Sequence, residues 1–435
     1  MNSRTKAIAV IGANYGDEGK GVTTHSLARR HNSSCVVRFN GGPQAGHTVH
    51  LSTPSIKHVF SSYASGTFAG AKTYVSRCSL FNPRAANEER LELLALANSA
   101  LPSFTLPELQ VDPGTHVITP WDVVLNQLLE RGRGPNAHGS CGMGIGETEL
   151  RKTTPGAPVL LAGQLQKPLE VFQFLADIRQ WFKKRTKEEA EAGSFTYLNE
   201  AQQAFLKDCI LSPSHLINEM YAYAAYMNHF KVGQFIDPVI DLTTDHAEGP
   251  KDKFIFEGAQ GLLLSDDPAN PKYTTWSKTG LDNVIQECIR QKINLTEVHY
   301  VTRPYLTRHG AGPIPIEVGI EILPAEGEKL WGRDYTNRTN EFQGSLRYAH
   351  LNWVSLKSRI QVEHAKLKDT PFKDAKAVLT VTCVDQTEMS ETCDMYDHDS
   401  DPSNAFKINS EDFTKYVSLM FANVATVEIL DGRKG

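Results

Sequence analysis

The run Ile11-Gly12-Ala13-Asn14-Tyr15-Gly16-Asp17-Glu18-Gly19-Lys20-Gly21 restricts the fold more than any other stretch of the chain. Ahead of it, Ala7 to Ile11 has the apolar character of a buried strand, and after it Gly21 to Arg30 has a helical pattern. Cys35 to Phe39 then reads as a second strand. Strand, glycine loop, helix and strand form the start of a βαβ unit, whose crossover helix returns the chain so that the two strands run parallel. Glycines at 12, 16, 19 and 21 let backbone amides approach an anion, the helix presents its positive end to it, and Lys20 adds a point charge. A phosphate loop usually follows its lysine with Ser or Thr to hold magnesium, but here Gly21 and Val22 follow. Asp17 is then the loop's available oxygen for a cation, and its carboxylate can also accept a proton. A glycine-rich turn carrying surface Asp and Glu is the competing reading.

The second strand runs into Arg38-Phe39-Asn40-Gly41-Gly42-Pro43-Gln44-Ala45-Gly46-His47-Thr48. His47 therefore stands beyond the carboxyl end of a strand, where doubly wound sheets place ligands. Two glycine loops after consecutive strands predict that those strand ends are close neighbours. Further strands are predicted at His116 to Thr119, Phe254 to Phe256, Glu297 to Val301, Ala377 to Val381 and Thr426 to Leu430, with helices at Glu88 to Ala97, Trp121 to Arg131 and Asp282 to Arg290. The expectation is one large α/β domain over residues 1–435, a mainly parallel sheet with helices on both faces. Residues 165–235, charged with apolar residues at helical spacing, read as a helical insertion within it.

A net charge of −5 offers no basic excess for a nucleic-acid backbone. No basic and then apolar leader opens the chain, and no run of about eighteen apolar residues marks a membrane helix, so a cytoplasmic protein is expected. Seven scattered cysteines without a C-x-x-C pair suggest neither a disulfide framework nor a zinc site.

Four segments, G-D-E-G-K-G, N-G-G-x-x-A-G-H-T, Phe256-Glu257-Gly258-Ala259-Gln260-Gly261 and Thr307-Arg308-His309-Gly310-Ala311-Gly312-Pro313, occur in that order. In this the chain resembles the adenylosuccinate synthetases, and the resemblance implies their P-loop-like α/β fold. It also implies transfer of the γ-phosphate of a nucleoside triphosphate to the 6-oxygen of a hypoxanthine nucleotide, followed by displacement of that phosphate by L-aspartate. Carried over by position, Asp17 would take the N1 proton and ligate magnesium, and the Gly46 carbonyl would be a second Mg2+ ligand. His47 would stabilise the leaving diphosphate and act as general acid, and Gln260 would hold the 6-oxygen side of the base. Gly16, Glu18, Gly19, Lys20, Gly21, Gln44, Gly46 and Thr48 fall at nucleotide and phosphate positions. A homodimer is implied as well.

Other matches are thinner. Ser140-Cys141-Gly142-Met143-Gly144-Ile145-Gly146 resembles the family's nucleotide-phosphate loop, with Cys141 in place of a threonine, and Thr275 resembles a further nucleotide-binding threonine. The family borrows an arginine from a partner subunit shortly after this loop, but Arg151 and Lys152 fall out of register. In the region that recognises aspartate, Arg347 is left of an arginine cluster, with Arg338 upstream and Arg308 as another candidate. The guanine-reading T-K-L-D appears as Thr382-Cys383-Val384-Asp385, without its lysine, so ATP stands beside GTP as donor. Altered base-reading loops also resemble the viral relatives that act on deoxyguanylate, although those replace the loop carboxylate by serine and this chain keeps Asp17. Three functions remain open: a ligase acting on an IMP-type nucleotide, the same chemistry on GMP or dGMP, and a nucleotide-binding regulator without ligase activity.

Overall fold

A computed structural model describes residues 5–101, 103–211, 214–234, 253–266, 273–314, 317–318, 342, 346–384, 393–395, 406–408 and 410–430. Arg338, Asp385 and Asp431–Gly435 lie outside the described residues.

The chain begins with strand β1 (Lys6–Gly12), helix α1 (Lys20–Arg30) and strand β2 (Cys35–Arg38). A hairpin of β3 (His47–Ser52) and β4 (Ser55–Phe60) follows, then β5 (Lys72–Val75). Among the described residues, nine strands make one sheet in the order Thr426–Ile429, Lys376–Val381, Asn294–Thr302, β1, Lys253–Glu257, β2, β5, Leu109–Val111 and Lys231–Val232. Every neighbouring pair in it is parallel.

Side chains alternate along a strand and both faces of β1 are covered, which explains why it is apolar from Ala7 to Ile11. Ala7, Ala9 and Ile11 enter a core that includes Leu281, Val284 and Cys288 of helix Leu281–Gln291 and Trp353, Leu356 and Ile360 of helix Trp353–Ala365. Ile8 and Val10 enter the opposite core, with Leu27 and Ala28 of α1. With both faces covered, neither set of side chains is left to water.

Helices occupy Pro168–Glu191, Glu200–Leu211 and Ser214–Tyr226. Val171, Ile178, Phe182, Met220 and Tyr223 share a core with Trp121, Leu125 and Leu129 of helix Pro120–Arg133. Among the described residues no helix is long and apolar enough to cross a membrane.

Two local expectations differ from the structure, and some sheet strands have no counterpart in the sequence reading. Of His116 to Thr119, only His116–Val117 forms a strand, and it pairs with Leu80–Phe81 outside the main sheet. Thr119 and Pro120 cut it short, since Thr119 and Asp122 form the capping box of the helix that Pro120 opens. Second, β1 and β2 are not neighbours, because Lys253–Glu257 is inserted between them. Finally, β5 and Leu109–Val111, too short for a periodicity signal, extend the sheet beyond β2.

Candidate active site

The inserted strand brings a third loop between the two glycine loops that follow β1 and β2. Parallel strands end at one edge, so the loops after β1, Lys253–Glu257 and β2 all meet there. Reciprocal hydrogen bonds join the last two: Asn40 Nδ2 donates to Ala259 O at 3.0 Å, and Ala259 N donates to Asn40 Oδ1 at 2.7 Å. Gly12 is held tightly, since a Cβ there would collide with Glu18 Oε2 and Gln260 O and come within 2.9 Å of Lys20 Nζ. At Gly21 a Cβ would sit 3.0 Å from the backbone carbon of His47 and from its Cβ. Glycine at these two positions is what lets the loops around Lys20, His47 and Gln260 close together.

Within the first loop, Asp17 adopts a left-handed backbone with φ 57°, uncommon for a residue with a side chain. Arg303 Nε donates to its carbonyl, and Asp17 Oδ2 lies 2.9 Å from His309 Nδ1. Burial pushes the Asp17 carboxyl up, but the hydrogen bond and charge of His309, with Arg303 and Lys20, prevail and hold it below the ordinary carboxylate value. Asp17 is thus an ionised, acceptor-only group. Glu18 is buried: Oε1 accepts from Asn14 N and Oε2 stands 3.5 Å from Lys20 Nζ. Burial raises its carboxyl against the pull of Lys20 and the Asn14 and Gly16 amides.

His47, at the start of β3, is 6% exposed, and its Nδ1 lies 2.9 Å from Oε1 of the wholly buried Glu257. Glu257 is surrounded by donors, Ser65 N at 3.2 Å, Ser65 Oγ and Arg38 Nη1 at 3.7 Å. Burial would raise its carboxyl, but His47, Arg38 and Ser65 bring it down to about 2. Burial pushes His47 below its usual value, a pull that Glu257 opposes and Arg38 and Lys20 reinforce. A neutral imidazole with Nδ1 beside Glu257 keeps Nε2 for a ligand.

Gln260 also has a left-handed backbone, with φ 59°, and its Nε2 donates to Thr275 Oγ1 at 3.1 Å. Its Oε1 and both polar atoms of the Gln44 side chain are buried without hydrogen-bond partners among the described residues. Gly41 lies against both side chains. Gly16, Gly19, Gly46 and Thr48 belong to the same loops or their junctions with α1 and β3.

Ser140 Oγ accepts from Asn126 Nδ2 at 2.9 Å, and the neighbouring Gly139 packs on the backbone of Gly310 and Ala311. The Ser140 loop therefore abuts the segment that follows Arg308. Burial pushes the Cys141 thiol up to about 11, so the reactive thiolate is scarce at neutral pH. Arg151 is buried against Asp122 and the carbonyls of Val117 and Pro158, fixed within its own chain.

The two described arginines proposed for aspartate are both bonded to backbone. Arg308 donates to Pro313 O at 2.7 Å, Tyr273 O at 2.8 Å and Ala311 O at 3.2 Å, with its guanidinium over the Tyr15 ring. Arg347 Nη2 donates to Gly310 O and Gly312 O, each at 2.8 Å. They clamp the loop His309–Pro313.

Three residues at this edge escape a reading by motif alone: Glu257, Arg303 and His309. A charged Glu257 closing an apolar strand was the available signal. Arg303 and His309 flank the short strand Tyr305–Arg308, and no local pattern announces their contact with residue 17.

As for a cation, the donors on offer are the Asp17 carboxylate and the Gly46 carbonyl. Among the described residues no group of three or more His, Cys, Asp or Glu could form an all-protein cage. Magnesium commonly uses one or two carboxylates and completes its shell with phosphate oxygens and water, so this hard-oxygen pair suits it.

Comparison with known proteins identifies the family and the fold. A family model described as adenylosuccinate synthetase matches residues 9–414. The adenylosuccinate synthetase of Clostridium botulinum (strain Langeland, Type F) is 30% identical over 355 residues, covering 80% of this chain and 73% of the relative. That of Lactobacillus acidophilus is 28% identical over 325 residues, 74% of this chain and 67% of the relative. Among solved structures, a fully ligated adenylosuccinate synthetase from Plasmodium falciparum aligns with a TM-score of 0.58 at 18% identity, covering 86% of this chain and 76% of its own. The cyanophage S-2L succinoaminodeoxyadenylate synthetase (PurZ) aligns at 0.50 and 14% identity, covering 88% and 86%. At these identities the two structures share the fold.

Proposed function

The chain belongs to the adenylosuccinate synthetase family, magnesium-using ligases that form a carbon–nitrogen bond from nucleotide substrates and aspartate, and we propose that it attaches L-aspartate to C6 of an IMP-type 6-oxopurine nucleotide. A nucleoside triphosphate, GTP or ATP, supplies the phosphoryl group for a 6-phosphoryl intermediate. What supports this most is the meeting of Asp17, Lys20, His47 and Gln260 at one sheet edge, since a protein that only bound nucleotide would need no paired acid and base there.

Asp17 accepts the N1 proton, which turns O6 into the nucleophile. Lys20 and the amides of Gly16, Gly19 and Gly21 hold phosphate oxygens, and Gln260 faces the 6-oxygen side of the base. His47 is neutral before ligand arrives, but polyphosphate charge favours imidazolium, so nucleotide binding loads it with the proton it gives to the leaving oxygen. Magnesium, held by Asp17 and the Gly46 carbonyl, would offset phosphate charge. The chain's part is positioning and electrostatics, as in other phosphoryl transfers. Assembly as a homodimer and a cytoplasmic location belong to the same reading.

A second reading keeps the chemistry and changes the acceptor to GMP or dGMP, with ATP as donor. The cyanophage protein is described bound to dGMP and dATP; in this chain the lysine missing from Thr382-Cys383-Val384-Asp385 supports ATP as donor, and the altered base-reading loops are what resemble the viral relatives. A turnover panel separates the possibilities: IMP, dIMP, GMP and dGMP, each with ATP or GTP, with and without L-aspartate. Phosphate release that requires both a purine nucleotide and aspartate is the expected result. Nucleotide binding without turnover anywhere in the panel would sink the ligase and leave the regulator.

A further inference from the structure

We propose that His309 is a positioning residue for Asp17: its Nδ1 holds Oδ2, and the other carboxylate oxygen is thereby aimed at the substrate. The inference rests on Asp17 being the base of the proposed reaction. Nδ1 lies 2.9 Å from Oδ2, and since an ionised carboxylate can only accept, the imidazole is the donor. The two side chains are 18% and 25% exposed, reachable by a ligand yet partly withdrawn from water, where a hydrogen bond is stronger than at an open surface.

His309 is itself held firmly. The strand Tyr305–Arg308 before it is tied to the phosphate loop, with Thr307 Oγ1 donating to Gly16 O at 3.2 Å. Arg303 donates to Asp17 O and, from Nη1, to Tyr305 Oη at 2.9 Å, with its guanidinium beside the Tyr305 ring. The loop after His309 is clamped by Arg308 and Arg347 through the carbonyls of Gly310, Ala311, Gly312 and Pro313. A strand and two arginines thus fix the imidazole, and the imidazole with Arg303 fixes residue 17 in its left-handed conformation. A carboxylate free to rotate would present either oxygen in many directions. With Oδ2 engaged, Oδ1 has one direction, as a base must have when its proton lies in the plane of a purine ring.

This arrangement gives Arg308 and Arg347 a task that needs no direct contact with aspartate. They hold the platform on which His309 stands.

The test uses the full chain, the best nucleotide pair from the panel, and four variants: His309→Ala, His309→Asn, Asp17→Asn and the double variant His309→Ala/Asp17→Asn. Folding of each is checked by thermal melting. His309→Ala should lower kcat about tenfold to a hundredfold, the usual scale for losing the group that orients a working residue, while KM for each substrate stays within about twofold. Asparagine can place its Nδ2 where Nδ1 was, so His309→Asn should recover most of the loss. In the Asp17→Asn background, removing His309 should cost little more, because the two act as one unit. An unchanged kcat in His309→Ala, an asparagine variant no better than alanine, or fully additive losses would each overturn the proposal. Full activity of Asp17→Asn would instead remove the base assignment on which it rests.

Discussion

Asp122 and Arg151, in the helical part of the molecule, meet at 2.8 and 3.2 Å, and the rest of the guanidinium reaches the carbonyls of Val117 and Pro158. Asp122 also accepts from Thr119 N at 2.8 Å, capping its own helix. Glu18 and Lys20, where the loop after β1 meets α1, are as deeply buried but stand 3.5 Å apart, and Glu18 Oε2 has no hydrogen-bond partner among the described residues. The first pair has its hydrogen bonds made by the protein. The second leaves part of its capacity unspent at the place where a phosphate is expected. A satisfied buried network stiffens a fold, whereas an unsatisfied one costs stability that a ligand can restore.

The largest effect should come from breaking the satisfied pair. Arg151→Met leaves Asp122 buried without its cation and should lower the unfolding free energy by about 3–5 kcal/mol in urea titration. Glu18→Gln replaces a carboxylate whose charged form burial already disfavours, and should change stability by less than about 1 kcal/mol. Equal losses in the two variants would erase the distinction.

Glu147, on the same helix as Arg151, offers an intermediate case. It is 3.5 Å from Arg185, yet burial prevails and pushes its carboxyl up to about 7. Its folded form binds a proton more tightly than the unfolded chain, so this contribution is fully present below about pH 4.5 and is lost as pH rises toward about 7. Glu147→Gln should flatten that part of the stability profile, by on the order of 3 kcal/mol between its ends. An unaltered slope would place the titration elsewhere.

At the site edge the effect should appear in rate. Asp17→Asn and His47→Ala are each expected to lower turnover by at least about a hundredfold, close to 2.7 kcal/mol of barrier, with much smaller changes in nucleotide affinity. Full activity in either would overturn its role. The smallest effect is expected from Arg347→Ala. Loss of its bonds to Gly310 and Gly312 should loosen the loop that carries His309 and lower kcat about fivefold, with the Michaelis constant for each substrate within about twofold. An unchanged kcat would remove Arg347 from the support of His309, and a raised constant for aspartate alone would return it to the substrate carboxylate.

Much of this was legible before any coordinates, for a physical reason. The elements that carry the site are local: an apolar stretch on β1, glycines where backbones must approach, a helix start at Lys20. Each signal spans a few residues, so a window along the chain contains it. His47 could be placed beyond a strand end on the same grounds. Glu257 was visible but not distinguishable from any charged residue that ends a strand. Its meaning depends on lying beside His47, and that follows only from the insertion of its strand between β1 and β2. In sequence, Arg308 and Arg347 read as cations for a substrate carboxylate, but their bonds to loop carbonyls come from the antiparallel pairing of Tyr305–Arg308 with Arg347–His350.

By itself, then, the chain's sequence determined its opening strand, loop and helix and the family to which they point, because close backbone approach, helix start and loop carboxylate are encoded within about a dozen consecutive residues. Only the tertiary structure decided who stands beside whom. Asp17 and His309 are 292 positions apart, and nothing in either neighbourhood specifies the other. Their meeting depends on strand order and on a clamped loop, and those are set by burying both faces of one parallel sheet at once.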